Sequence, residues 1–270
     1  MEKLILIKGA GDLASAVAVR LYRSGFKIVM TDIAVPTAVR RTVSFNRIIY
    51  DDNCIIEGIE SKLAHNINDI KNILDSNKIP VIVDEKAEII RELNPDILVD
   101  CIIAKRNINT SINDAELVIG VGPGFTPNKD CHCCVETQRG HFLGRVFWDR
   151  SCAENTGIPG NIGGYSTERI IRAAEDGEFE PLKNIGEHVE AGEVVACVNT
   201  DDNQKVEINA QITGVVRGML QKGVKVHKGM KSGDIDPRDN AEYSKFVSDK
   251  GLSIAGGVLE AICCYFKEEV

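Results

Sequence analysis

The sequence predicts an α/β protein in which a Rossmann-like parallel sheet precedes a small β-rich domain and a C-terminal helix. Three observations carry this. The chain opens on an apolar run, a glycine turn and an amphipathic stretch, "KLILIKGAGDLASAVAVRLYRSGFKIVMTD". Short apolar runs bounded by turn residues then alternate with helical spacing up to residue 127. Beyond residue 181 the pattern turns to short, glycine-punctuated alternating segments with a weak internal repeat.

Taken in order, the opening stretch reads as a strand, a helix closed at Ser24-Gly25, and a second strand ending at Asp32, which is the start of a βαβ unit. "NINDIKNILDSN" has helical spacing, while "IPVIVD", "DILVDCIIA" and "ELVIGVG" are expected as buried parallel strands. Residues 1–127 are therefore assigned to the sheet domain. Residues 128–180 read as a β-hairpin around Arg139-Gly140 and a glycine-rich connection. Within 181–240, "IGEHVEAGEVVACV" is answered by "KGVKVHKGMKSGDI", each copy with a glycine, a valine three later and a second glycine three after that. That pattern resembles the barrel-sandwich fold of biotinyl and lipoyl carrier domains, although Lys205 is out of place for a carrier lysine; an unrelated small β-domain with glycine turns is the alternative. Residues 241–270 read as a helix, with Ser253 as a candidate cap, packing back on the sheet domain.

Composition sets the classes to expect. With 270 residues, 43% hydrophobic and 27% charged, the chain can bury a sizeable core. A net charge of −8 offers no basic surplus for nucleic acid or anionic membranes, so small molecules and proteins are the expected partners, with a homo-oligomer compatible. "LSIAGGVLEAICCYF" falls short of the roughly 20 apolar residues needed to span a bilayer and contains Glu260. Met1 leads directly into a strand-like run without the pattern of a secretory signal, and nine cysteines suit a reducing compartment, so the cytoplasm is the expected location. Cys54, Cys101 and Cys197 are expected as small core residues.

The candidate site residues cluster at turns. Gly9, Gly11 and Ala14 form G-x-G-x-x-A between a strand and a helix, and Asp32 ends the next strand. A tight turn at Gly9, close backbone approach at Gly11 and the helix N-terminus favour a phosphate, while Asp32 suits ribose hydroxyls. A tight βα turn without a ligand explains the same residues. Asp12 follows Gly11 directly, where a carboxylate repels a diphosphate, and this places NAD behind other nucleotide-type cofactors. Gly122 and Gly124 in "GVGPGFTP" form either an anion nest or a plain glycine-proline turn. Arg40 and Arg41, with Lys105 and Arg106, stand in βα loops as phosphate partners or solvated charge. In "DCHCCVETQRGH" strand alternation puts Cys131 and Cys133 on one face and His132 and Cys134 on the other. One ion cannot be gripped by all four, so no metal site is assigned; a reactive thiol, foremost Cys131, and plain strand cysteines both stay open.

Several strings, "IKGAGDLASAVAVRLYRSGFKIVMTD", "PTAVRRTVSF", "VIGVGPGFTP", "VETQRGHFLGRV", "NTGIPGNIGGYSTERI" and "VKVHKGMKSGDIDPR" among them, resemble the YqeB-type accessory proteins of selenium-dependent molybdenum hydroxylases, and the first half is more weakly similar to xanthine dehydrogenase accessory proteins. The resemblance implies a maturation factor rather than a metabolic enzyme. It would bind molybdopterin cofactor or assist selenium insertion, with a molybdenum hydroxylase as client. It directs attention in the cysteine stretch to Glu136, Arg139 and His141. Two alternatives stand beside it: an NAD(H)-binding oxidoreductase, and a thiol-based selenium or sulfur carrier.

Overall fold

In the computed structural model, which describes residues 3–157 and 159–267, the apolar run at the start of the chain forms β1 (Leu4–Lys8) and the amphipathic stretch after it α1 (Asp12–Arg23). The chain continues through β2 (Lys27–Asp32), β3 (Cys54–Ile56), β4 (Ile59–Ala64), α2 (Ile67–Asp75), β5 (Ile79–Val83), α3 (Ile90–Leu93), β6 (Ile97–Asp100), β7 (Leu117–Val121), β8 (Cys133–Val135) and β9 (Val146–Phe147). Every residue of β6 and β7 is buried, as expected of parallel strands covered on both faces. Asn66 sets the start of α2, its side-chain oxygen accepting from the Asn68 and Asp69 amides at 2.9 and 3.0 Å.

These strands make one nine-stranded sheet in the order β3-β4-β5-β2-β1-β6-β7-β8-β9. The expectation of a Rossmann-like parallel sheet is corrected here. The sheet is mixed, since β3 runs antiparallel to β4 and β9 antiparallel to β8. Its order also departs from the doubly wound pattern: β5, not β4, lies beside β2, and β4 lies outside it. The cause is local. Glu57 and Gly58 both take positive φ, +48° and +84°, making the two-residue turn of a hairpin that fills the edge.

Two compact units divide the chain, one of Met1–Pro36, Ser44–Thr156 and Val247–Val270, the other of Thr37–Val43 and Gly157–Phe246. The boundaries differ from those read in the sequence because residues 133–147 add β8 and β9 to the first sheet instead of forming a separate connection. The last helix, α4 (Asp249–Tyr265), belongs to the first unit and packs on α1 and on β7 to β9. Ser248 caps it, accepting from the Gly251 amide at 3.0 Å. The expected cap, Ser253, lies inside the helix and donates its hydroxyl to the Leu143 carbonyl at 3.1 Å.

The second unit holds β10 (Ile170–Arg172), β11 (Gly177–Pro181), β12 (His188–Val189), β13 (Val194–Asn199), β14 (Lys205–Asn209), β15 (Gly214–Met219), β16 (Lys225–Val226) and β17 (Lys231–Asp236). They form two four-stranded antiparallel sheets, β10-β17-β15-β12 and β14-β13-β11-β16. A shared core of Phe179, Val195, Val198, Val216, Met219 and their neighbours joins them. The internal repeat acquires a structural meaning. Each copy supplies a two-residue strand and then a six-residue strand, and the copies exchange places: β12 and β17 lie in one sheet, β16 and β13 in the other. Their four glycines, Gly186, Gly192, Gly223 and Gly229, take φ of +98°, +89°, +85° and +82°, a conformation that side chains resist. The unit is thus an antiparallel two-sheet body, and the barrel-sandwich-like part of the predicted fold class is replaced by that description. Among the described residues no helix is long and apolar enough to cross a membrane.

Candidate functional site

In the first unit β1 has β2 on one side and β6 on the other, so the chain reverses its direction of travel across the sheet between β1 and β6. Ligands of open α/β sheets collect at the carboxyl ends of strands at such a reversal. The turn there is built as the sequence predicts. Gly9 has φ +91°, its amide donates to the Thr31 carbonyl at 2.9 Å, and a Cβ on it would stand 2.9 Å from the Cys101 carbonyl oxygen. Gly11, at φ −70° and ψ −176°, is in a conformation open to any residue, yet a Cβ on it would meet nothing within 4 Å. Gly11 is thus not required by its neighbours; it leaves space beside the start of α1, a helix that no described side chain caps.

Asp32 reaches the same loop. Its Oδ2 accepts from the Ala10 amide at 2.9 Å and from Asn46 Nδ2 at 3.0 Å, and Oδ1 from the Ile33 amide at 2.8 Å. The carboxylate is therefore a brace for the glycine turn. The Asn46 amide in turn donates to the Ala10 carbonyl at 3.0 Å, so this side chain and backbone clamp the loop from both sides.

Directly below the turn lies a buried polar cluster that sequence reasoning missed. Lys8 ends β1, 2% exposed, and its Nζ donates to Asn109 Oδ1 and Thr110 Oγ1, both at 2.6 Å, with Asp100 Oδ2 at 3.5 Å. Thr110 donates its hydroxyl to Asp100 Oδ2 at 2.6 Å. The signal was present: a lysine and an aspartate at the last positions of two strands otherwise entirely apolar, a placement that burial tolerates only for paired charges. Past Asp100 the backbone takes positive φ at Ile103 and Lys105, +60° and +64°. For a β-branched residue such as Ile103 this is a strained conformation.

The other expected residues fall into three groups. Gly122 and Gly124 lie past β7 on the same carboxyl edge, at φ +84° and +107°, and a Cβ on Gly124 would overlap the Arg106 backbone. Glu136 follows β8, 3% exposed; its Oε1 accepts from the Thr137 and Gln138 amides, both at 2.7 Å, and Oε2 from the Ala153 amide at 2.8 Å. Arg139 holds Asp249 of α4 with two bonds of 2.9 and 3.0 Å, and His141 sits edge-on to Phe142, their ring centroids 5.3 Å apart. Arg40 and Arg41, by contrast, belong to the second unit. Arg40 donates to the Tyr243 and Phe246 carbonyls at 3.3 and 3.1 Å, and Arg41 to the Met219 carbonyl at 2.8 Å and to Gln221 Oε1 at 2.7 Å. Structure therefore groups Gly9, Gly11, Asp12 and Asp32 in one loop cluster and assigns the two arginines to another unit.

The cysteines are core residues. Cys131, Cys133 and Cys134 are fully buried. Strand alternation does not sort them as expected, because β8 begins at Cys133, and Cys131 joins Cys134 and Cys152 in one cluster with Phe125 and Phe147. Burial, with the Cys134 thiolate charge adding to it, pushes the Cys131 thiol up to about 12. A hydrogen bond from Cys152 lowers the Cys134 thiol and raises its own. Iodoacetamide at pH 8 on the folded protein is expected to label Cys263 and Cys264, the two exposed cysteines, and to spare Cys131; peptide mass mapping reads this directly. Among the described residues no group of three or more His, Cys, Asp or Glu side chains is placed to hold a metal ion.

Comparison with known proteins supplies the family. The chain is 43% identical over 261 residues to "Uncharacterized protein YqeB" of Escherichia coli strain K12, a match covering 97% of this chain. It is a YqeB-type chain. The match covers 47% of that protein, so the chain spans about half the length of its YqeB relative. No protein-family model matches. Among solved structures, an aspartoacylase family protein from Mesorhizobium loti is 10% identical with a TM-score of 0.30, covering 87% of this chain and 85% of that one. A succinylglutamate desuccinylase from a Silicibacter species is 12% identical at a TM-score of 0.27, covering 87% and 84%. The ectoine utilization protein EutE from Ruegeria pomeroyi is 11% identical at 0.28, covering 87% and 85%. Likeness at this level assigns this YqeB-type chain neither their fold nor their activity. The expectation of a maturation factor for a selenium-dependent molybdenum hydroxylase is set aside, because the YqeB relative that supplies the family is itself uncharacterized and carries no such role to this chain. The two alternatives are set aside with it, and the thiol carrier has the further difficulty that Cys131 is fully buried.

Proposed function

We infer that the first unit binds a phosphate-bearing small molecule of the nucleotide class at the carboxyl edge of its sheet, over Gly9 to Asp12. The observation that carries this reading is the open space at Gly11 beside the uncapped start of α1, at the point where the sheet reverses. A glycine that its neighbours do not need is accounted for by a ligand that needs its missing side chain. The bracing of the loop by Asp32 and Asn46 supports the same reading, since it holds the turn ready without the ligand. Nine unpaired cysteines suit a reducing cytoplasm as the place of action.

Titration calorimetry with ADP, and with adenosine as the arm lacking phosphate, tests this. ADP is expected to bind on the order of micromolar and adenosine far more weakly. Gly11→Asp fits the backbone at φ −70° without strain but puts a carboxylate into the open space, so it is expected to weaken ADP by about tenfold or more. Asp12→Asn, which removes a like charge, is expected to tighten it. Absence of heat up to millimolar ADP, or equal binding by Gly11→Asp, would overturn the assignment.

A further inference from the structure

The second unit contains a buried guanidinium with an unmet donor. On β15, Arg217 is 8% exposed. Its Nε has no hydrogen-bond partner among the described residues, and its Nη1 reaches Asp236 Oδ2 only at 3.7 Å. Asp236, on β17, is already engaged: Arg238 donates Nε to Oδ1 at 2.9 Å and Nη2 to Oδ2 at 2.6 Å, and the Arg238 amide donates to Oδ1 at 3.1 Å. The other carboxylate nearby, Asp234, is 5% exposed and is paired with Arg169. Both aspartates near Arg217 are therefore already engaged by another arginine, and the charge of Arg40, 7% exposed and donating to main-chain carbonyls, bears on Arg217 as well.

A buried guanidinium has five donors in a rigid fork and cannot escape its charge by losing a proton. Leaving such a group without strong acceptors is among the costlier arrangements a protein interior can hold. Burial first, and the Arg40 charge second, disfavour the charged form of Arg217. The cluster is not sealed. The Arg238 side chain is 44% exposed and stacks on Tyr243, itself 42% exposed, with the guanidinium 4.5 Å from the ring centroid. The solvent side of the cluster is thus lined by a cation, as an entry for negative charge would be.

We propose that Arg217, with Arg238 at its mouth, forms an oxyanion-binding site in the second unit that takes the phosphate or carboxylate group of a small ligand. The fork of Arg217 supplies the bidentate contact, and the anion supplies the acceptor that Arg217 Nε lacks. This site stands apart from the nucleotide reading of the first unit and does not depend on it.

The experiment uses the full chain carrying Gly11→Asp, so that phosphate uptake at α1 does not enter the signal. Thermal unfolding is followed against inorganic phosphate and against acetate, with sodium chloride holding ionic strength constant. A saturable rise in Tm with phosphate, acetate or both is expected, and the arm that responds names the chemistry. Arg217→Met keeps the volume and removes the fork, while Asp236 keeps its bonds from Arg238; it is expected to leave Tm in chloride unchanged or raised and to weaken the anion by about tenfold or more. Arg238→Gln, at the exposed position, is the second variant, expected to weaken the anion in the same direction while the fold stays intact. No saturable response to either anion, or a response that Arg217→Met and Arg238→Gln both retain in full, overturns the site.

Discussion

Lys8→Met is expected to destabilise the first unit by about 3–5 kcal/mol, one of the two largest single-residue effects in the protein. The reason lies in what stays behind. Lys8 and Asp100 have side chains only 2% and 3% exposed, and removal of the ammonium leaves the Asp100 carboxylate buried with the Thr110 hydroxyl bonded to it. Asn109 Oδ1 loses its donor too, while Asn109 Nδ2 keeps its bond to the Lys86 carbonyl at 2.9 Å. The loop that carries Asn109 and Thr110 is then tied to the sheet by fewer bonds. Urea unfolding of the full chain measures the loss. Because the cost is that of an orphaned charge and not of lost packing, Asp100→Leu added to Lys8→Met is expected to recover at least about 1 kcal/mol of it. A single-variant cost below about 1 kcal/mol, or no recovery in the double variant, would show that the cluster is not the dry, interdependent unit its geometry describes.

The same cluster marks how far the sequence could be read. "LILIK", "ILVD" and "LVIGV" were legible as parallel strands because their runs are short, apolar and bounded, and each became a strand of the sheet. Pairing order was not legible. Whether β4 or β5 lies beside β2 depends on the β3-β4 hairpin taking the sheet edge, and the apolar runs themselves do not record which neighbour each will pair with. The hairpin at the sheet edge was missed for a different reason. A glutamate at φ +48° is an uncommon occupant of its turn, and "EG" lacks the asparagine or aspartate that usually announces one.

Within the candidate site the glycine turn and the place of Asp32 at the end of β2 were legible, because strand, turn and helix succeed one another without interruption over residues 4–32, whereas the bonds of Asp32 to the turn were not. Arg40 and Arg41 read in the sequence as phosphate partners or solvated charge, and their bonds within another unit were not legible. The segment Thr37–Val43 is seven residues long with an unremarkable composition, and its destination is set by the carbonyls of Met219, Tyr243 and Phe246, about 180 to 200 residues away along the chain. Asn46 was invisible for the same reason: its meaning lies in a bond to Asp32, and bonds between loops leave no periodicity. The cysteine stretch misled in the opposite direction. Three cysteines in four residues suggest chemistry, yet each fills a fully buried position against apolar neighbours, as small side chains of low polarity do.

Glu136 is the residue in that stretch on which most depends, and Glu136→Ala is expected to cost about 3–5 kcal/mol. Its carboxylate gathers three backbone amides that no strand satisfies, those of Thr137, Gln138 and Ala153. The main chain around it is used as well, the Glu136 amide donating to the Arg145 carbonyl at 3.0 Å and its carbonyl accepting from Gly144 at 2.9 Å. One side chain thus fixes the turn after β8 and ties it to the segment at residue 153. Alanine leaves all three amides without an acceptor in a place that is 3% exposed at its centre. Glutamine separates the contributions. Its single oxygen can keep the Thr137 and Gln138 amides, whereas its amide nitrogen would face the Ala153 N–H donor to donor, so Glu136→Gln is expected to cost about half as much as alanine. Amide hydrogen exchange then locates the damage: protection at Ala153 is lost in both variants, while protection at Thr137 and Gln138 is lost in Glu136→Ala alone. Equal exchange at all three amides in the two variants would mean that Glu136 acts through its charge on the surroundings and not as the acceptor that joins two pieces of chain.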